Sequence, residues 1–255
     1  MDFWLTLLSI FFLGASSYFS YTKLTQQSKS GTPFWTLLLA FAIQTSVIGI
    51  RGEAQGACPI KDTGEILMFL AWSLLLVYLV MGTCYRISLL GFFTQPVAAL
   101  LLIVALIPGV YQAMPAQPIE EANPWLEAHA SLYILGYGVL LLSAISSLMF
   151  LLLNKKLKSR ELSGALFKHM APMNTLNTSS MRLIIFALLL LTVAMISGYQ
   201  IEQTGTTIKN WIGRISWLGY LGFLLVANIK GIPPVKTAVT NLSIFAFSLL
   251  AISFV

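Results

Sequence analysis

Apolar residues fill eight separate runs of this chain: Trp4 to Phe19, Phe34 to Ile50, Ile66 to Met81, Phe93 to Val110, Ala130 to Leu153, Leu183 to Tyr199, Trp211 to Ala227 and Ala238 to Val255. At 1.5 Å per residue these runs rise about 24 to 36 Å as helices, close to the roughly 30 Å hydrocarbon core of a bilayer, so each is expected to cross it. The pattern predicts an all-α, polytopic membrane helix bundle of about eight transmembrane helices. Pro96 and the pair Pro108-Gly109 either kink the fourth run or mark its termini. Ahead of the first run stands Met1-Asp2-Phe3, without the cations that open a secretory signal peptide, so that run is expected to be retained.

Composition removes the soluble alternatives. With 57% hydrophobic and 9% charged residues, no stretch between the runs can build a soluble core, and residues 1–255 are expected to form one transmembrane domain. The charges then orient it. Eleven of the 15 basic residues fall after the odd-numbered runs: Lys23, Lys29, Arg86, Lys155, Lys156, Lys158, Arg160, Lys168, Arg182, Lys230 and Lys236. The other side holds Arg51, Lys61, Lys209 and Arg214 among the acids Glu53, Asp62, Glu65, Glu120, Glu121, Glu127 and Glu202. By the positive-inside rule the odd loops are cytoplasmic. Loops 2–3, 4–5 and 6–7 and both termini then lie outside. The net charge of +6 reflects that topology, and nucleic acid is not an expected partner.

Topology also decides what the cysteines and histidines can do. Cys58 lies in an outer loop and Cys84 at the cytoplasmic end of the third run, a bilayer apart, so they form no disulfide. The chain has no Cys-x-x-Cys. His129 sits at the outer end of the fifth run and His169 in the basic inner loop, which excludes a shared metal ion. A single imidazole can still cap a haem iron, because the porphyrin supplies four of its bonds. Trp125, His129, Tyr133 and Tyr137 recur every four residues and stack on one helix face. Such a stripe suits a flat apolar macrocycle, and it equally suits an interfacial aromatic belt. Gly136 and Gly138 would admit a neighbouring helix or a ligand.

The remaining features are plainer. The loop from Asn154 to Arg182 mixes Leu157, Leu162, Leu166 and Phe167 with cations, as an amphipathic surface helix or as a solvated basic loop. Pro115, Pro118 and Pro124 predict a stiff, extended cap from Tyr111 to Ala128. Within the spans Gln44, Gln95 and Arg214 are the main polar exceptions, and no proton relay connects them. No nucleophile and base, and no metal cluster, can be assembled on one side, so no enzyme is expected.

Ordered segments carry a resemblance. Gly56-Ala-Cys58-Pro59-Ile-Lys-Asp-Thr-Gly-Glu65-Ile-Leu-Met-Phe69-Leu-Ala-Trp72 resembles the opening of the core of the cytochrome c assembly family, the CcsA-like and HemX-like membrane proteins. Tyr85 to Gly91, Thr94-Gln95-Pro96, the stretch from Trp125 to Tyr137, Met170 to Leu176, Met181-Arg182-Leu and Ile196-Ser197-Gly198 continue it in order, covering roughly 56–255. The resemblance implies a protein of a bacterial-type inner (plasma) membrane that binds haem near its outer face and serves cytochrome c biogenesis. His129 would then be the iron ligand, Trp125, Tyr133 and Tyr137 the porphyrin packing, and Arg51 or Lys61 a propionate partner. Apocytochrome c and a membrane assembly complex would be its partners. The family's tryptophan-rich stretch, WGxWWxWD in pattern, has no counterpart between Gly198 and Trp217, where only Trp211 and Trp217 stand. Ala227-Asn228-Ile229 occupies the neighbourhood of a second family histidine. These departures fit a divergent, accessory or HemX-like member. They also leave open a small-solute transporter or an assembly subunit without haem.

Overall fold

The structure, a computed structural model, describes residues 1–26, 31–85, 90–112, 123–159, 173–199 and 208–253. Among these residues eight helices follow one another with no β-strand: α1 (Asp2–Gln26), α2 (Thr32–Gln55), α3 (Thr63–Tyr85), α4 (Leu90–Ala105), α5 (Pro124–Lys158), α6 (Met173–Gly198), α7 (Ile208–Lys230) and α8 (Pro234–Ser253). Each predicted run overlaps one of them over most of its length. Six are long and apolar enough to cross a membrane, namely α1, α2, α3, α5, α6 and α7. The chain is an integral membrane α-bundle. Of the extended cap expected from Tyr111 to Ala128, Pro124 to Ala128 instead open α5, where Asn123 caps and Pro124 starts a helix; residues 113–122, the inner loop over 160–172 with His169, and Lys29, Arg86 and Glu202 lie outside the described residues.

Three elements differ from expectation. The α6 helix begins at Met173, ten residues ahead of its apolar run, so the loop expected from Asn154 to Arg182 is helical at both of its described ends. The α4 helix ends at Ala105, five residues before the apolar run does. Pro108 and Gly109, with φ +93°, turn the chain there, and Val110 N–H closes on the Ile107 carbonyl at 2.9 Å. Pro96 stands inside α4 and not at an end. The α5 helix, in contrast, runs 35 residues, about 52 Å at 1.5 Å per residue, and carries Leu157 and its lysines beyond the apolar run. Asn123 caps its start by accepting the Trp125 N–H at 3.0 Å, Pro124 supplies a preset φ, and Lys155, Lys156 and Lys158 offset the negative end of the dipole.

Small residues set how the helices pair. Ser9 and Ser16 of α1 donate to the Ala40 and Pro33 carbonyls of α2 at 3.1 and 2.7 Å, which fixes an antiparallel register. The α5–α6 pair is the most extensive contact in the bundle. Its partners recur every seven residues: His129 meets Ala194, Gly136 meets Ala187 and Leu191, and Ser143 meets Ser180. A seven-residue repeat of small side chains lets two helices pack closely along their length. Gly136 and Gly138 therefore serve helix approach, the first against Leu191 and the second against Ser73 of α3, whose Cβ would lie 2.7 Å from an added Cβ. At the level of Ser143, the Asn241 amide of α8 donates to the hydroxyls of Ser143, Ser147 and Ser180 at 2.9, 2.9 and 3.2 Å. Tyr220 of α7 closes this buried knot by donating to Asn241 Oδ1 at 3.3 Å.

Candidate functional site

The α1, α3 and α5 N-termini and the α2 and α6 C-termini share one end of the bundle, and His129 sits there in the second turn of α5. Its Nδ1 lies 2.6 Å from the Ala194 carbonyl of α6. A carbonyl only accepts, so Nδ1 carries a proton and donates. In the neutral ring Nε2 then keeps its lone pair, the state a metal ligand requires. Among the described residues Nε2 has no hydrogen-bond partner. Gly198 makes room for the ring: a Cβ there would stand 2.7 Å from Nδ1 and 2.9 Å from Cε1.

Below the imidazole the aromatic stripe continues as a ladder. His129 and Tyr133 have ring centroids 5.7 Å apart, and Tyr133 and Tyr137 5.1 Å apart, at interplanar angles of 30° and 35°. The ladder leads inward. Tyr137 is 2% exposed and donates to the Ser248 carbonyl of α8 at 3.2 Å, while the Tyr133 hydroxyl presses on Gly213 of α7. Helices thus cover Tyr137, while Tyr133 is half-buried against α7. Trp125, one turn above, is 53% exposed and makes no ring contact with His129 among the described residues. Three of the four residues on the predicted stripe are brought together, and Trp125 is not.

A second polar centre, which the sequence reading did not find, ties the same end together. Arg51 of α2 is buried and donates from Nε and Nη2 to Asp2 Oδ2 at 2.9 and 2.7 Å, from Nη1 to Glu65 Oε1 at 2.8 Å, and from Nη2 to the Gln112 carbonyl at 2.8 Å. Gln55 donates to the same Glu65 oxygen, and Tyr111 donates to Asp2 Oδ2 at 2.9 Å. Both acids stand in the first turns of their helices and the arginine near the end of α2, each sign matched to the helix dipole beside it. The Tyr111 phenol is pushed up by burial and by its bond to the Asp2 carboxylate. Arg51 was expected as a propionate partner. With four of its donor contacts already made inside the bundle, it has no face to offer one. The signal available in the sequence was an arginine on the same face of α2 as Leu37, Gln44 and Val47, at helical spacing.

Cys58 stands on the other flank of α5, its Sγ 3.3 Å from Ser131 Oγ. Burial pushes its thiol above the usual range, and Glu127 and Glu65 add to the rise against the Ser131 hydrogen bond. Two residues along a helix turn by about 200°, so the Cys58 side of α5 faces away from His129. Lys61, also expected as a propionate partner, is an exposed residue of this same loop. No group of three or more His, Cys, Asp or Glu side chains placed to hold a metal ion occurs among the described residues.

Comparison with known proteins adds a family. A model described as Cytochrome C assembly protein matches residues 60–255. The cytochrome c biogenesis protein CcsA of Trieres chinensis is 31% identical over 143 residues, covering 54% of this chain and 44% of that protein. Protein HemX of Brevibacillus brevis is 29% identical over 64% of this chain and 60% of its own length. CcsA of Guillardia theta is 26% identical over 75% of this chain and 71% of its own. The matches to CcsA of Trieres chinensis, Pyropia yezoensis and Gloeobacter violaceus cover 44%, 38% and 36% of those proteins, less than half of each.

Proposed function

Because the chain belongs to the cytochrome c assembly protein family, we propose that it handles haem during cytochrome c biogenesis, with His129 as a ligand to the iron. The observation that carries this reading is the bond from His129 Nδ1 to the Ala194 carbonyl. It orients the ring and fixes the tautomer, which is how proteins prepare a histidine for a metal. Haem supplies an iron with an open axial position, so one imidazole is a sufficient anchor on one side. The residues present fit that role at His129 and Gly198. Tyr133 and Tyr137 back the ligand from below as packed supports.

The charge count supports an outward orientation, with both termini and His129 on the face away from the cytoplasm, and residues 1–255 acting as one transmembrane domain. On this reading the protein receives or retains haem where apocytochrome c is completed, as an accessory member of an assembly complex. The missing tryptophan-rich stretch favours one competing reading, an assembly subunit that never binds haem. Purification in detergent followed by absorption spectroscopy separates the two. We expect a Soret band in the wild type, from co-purified or added haem, and its loss in His129→Ala with unchanged helix content. A wild type that takes up no haem on titration overturns the proposal.

A further inference from the structure

The seam between α6 and α7 carries one more group that suits the same ligand. The α7 helix packs chiefly on α8 and touches α6 much less than α5 does, so α6 and α7 stand as two walls beside α5 at this end of the bundle. One side chain ties α7 to each of its neighbours here. Trp217 Nε1 donates to Thr192 Oγ1 of α6 at 3.0 Å, and the Tyr133 hydroxyl reaches Gly213 of α7. The Trp217–Thr192 contact fixes depth. The helices run in opposite directions, so three residues outward from each partner sets Arg214 level with Met195, beside the Ala194 carbonyl that holds His129. Arg214 shares its helix face with Trp217, three residues on, and so stands on the flank of α7 turned toward α6.

Among the described residues the charge of Arg214 meets no carboxylate. Its guanidinium lies 5.5 Å from the centroid of the half-exposed Trp211 ring, and no ion pair engages it among the described residues. Arg51, by contrast, is fully engaged between two carboxylates and a carbonyl. A half-buried guanidinium at the membrane boundary recognises a carboxylate well, because its planar fork matches the two oxygens and the low local dielectric strengthens the pair.

We propose that Arg214 binds a carboxylate of the porphyrin whose iron His129 ligates, so that the α6–α7 seam selects tetrapyrroles bearing free acid side chains. This rests on the haem reading above and names its specificity. Arg214 anchors the acid edge and His129 the metal, which makes the two contributions separable by changing the ligand.

The experiment measures affinity, by tryptophan quenching and absorption, for haem, its dimethyl ester, and metal-free protoporphyrin and its dimethyl ester. Purified full-length wild type, Arg214→Ala, Arg214→Lys and His129→Ala are compared. The wild type should prefer each free acid over its ester by about tenfold or more, the size of a charge-assisted bond. Arg214→Ala should bind acids and esters alike while keeping the Soret position set by His129. Arg214→Lys should recover part of the preference. His129→Ala should lose the iron signature yet still prefer metal-free protoporphyrin over its ester. An acid preference that persists in Arg214→Ala, or none in the wild type, overturns the assignment and leaves the histidine reading standing. A wild type that binds metal-free acid over ester but shows no iron–histidine signature sinks the histidine reading and the paired anchoring with it, and leaves only the Arg214–carboxylate contact.

Discussion

Gly198→Ala is the most direct test of how His129 is held. The new Cβ would lie 2.7 Å from Nδ1, where ordinary contact begins at 3.4 Å, so the ring must retreat from α6 by about 0.7 Å. That retreat stretches the 2.6 Å contact with the Ala194 carbonyl to about 3.3 Å, past the usual limit of an N–H···O bond. Gly198 has no positive φ, so the backbone accepts alanine and the cost is steric alone. We expect a loss of ~1–3 kcal/mol in stability from overpacking and a 10- to 100-fold loss in haem affinity from the released imidazole. Gly136→Ala is the control. Its Cβ meets the tip of Leu191 at 2.9 Å, a flexible side chain on the same helix pair, and His129 is untouched. Nitrogen NMR of His129 reads the tautomer, and a haem titration reads the affinity. If Gly198→Ala keeps the Nδ1–H tautomer and wild-type affinity, the Ala194 bond does not prepare the ligand.

Three further outcomes follow from the same end of the molecule. Arg51→Ala leaves the Asp2 and Glu65 carboxylates facing each other in a buried site, and should cost ~3–5 kcal/mol in thermal unfolding in detergent; an unchanged Tm would show that the cluster is solvated. Gln44→Leu should raise Tm, because neither amide heteroatom of this fully buried residue has a hydrogen-bond partner among the described residues and an apolar replacement removes a penalty of ~1–3 kcal/mol. A lower Tm would mean the amide has a partner in the membrane. In a Cys84→Ser background, a membrane-impermeant maleimide should label Cys58 from outside intact cells, slowly at neutral pH and faster as pH climbs above the usual thiol range, since burial favours the neutral form. Labelling that needs permeabilised cells would invert the topology.

How much of this was legible in the chain depends on what periodicity reports. A run of apolar residues records depth in the membrane, and each of the eight runs became a helix with ends shifted by up to about three turns: α6 starts ten residues ahead of its run, and Pro108 and Gly109 end α4 where hydropathy alone would continue it. The four-residue spacing of Trp125, His129, Tyr133 and Tyr137 gives a shared face but not what faces it. The ladder was readable, while its burial under α7 and α8 was not, because that depends on Gly213 and Ser248, more than 75 residues away in the chain. Arg51 shows the same limit more sharply. In sequence it is one more outer-loop cation. In space Asp2, Glu65 and Gln112 converge on it from three other parts of the chain, and that convergence removes it from ligand binding. Arg214 looked equivalent on paper and ends without such partners among the described residues. What separates a structural cation from a binding one is therefore the set of neighbours that helix register delivers. Here register follows from the small residues Gly136, Ser143, Ser180, Ala187 and Ala194, spaced in sevens along the α5–α6 seam. The same spacing that packs the two helices also brings His129 to the Ala194 carbonyl, so the site is set by helix pairing and not by a local motif.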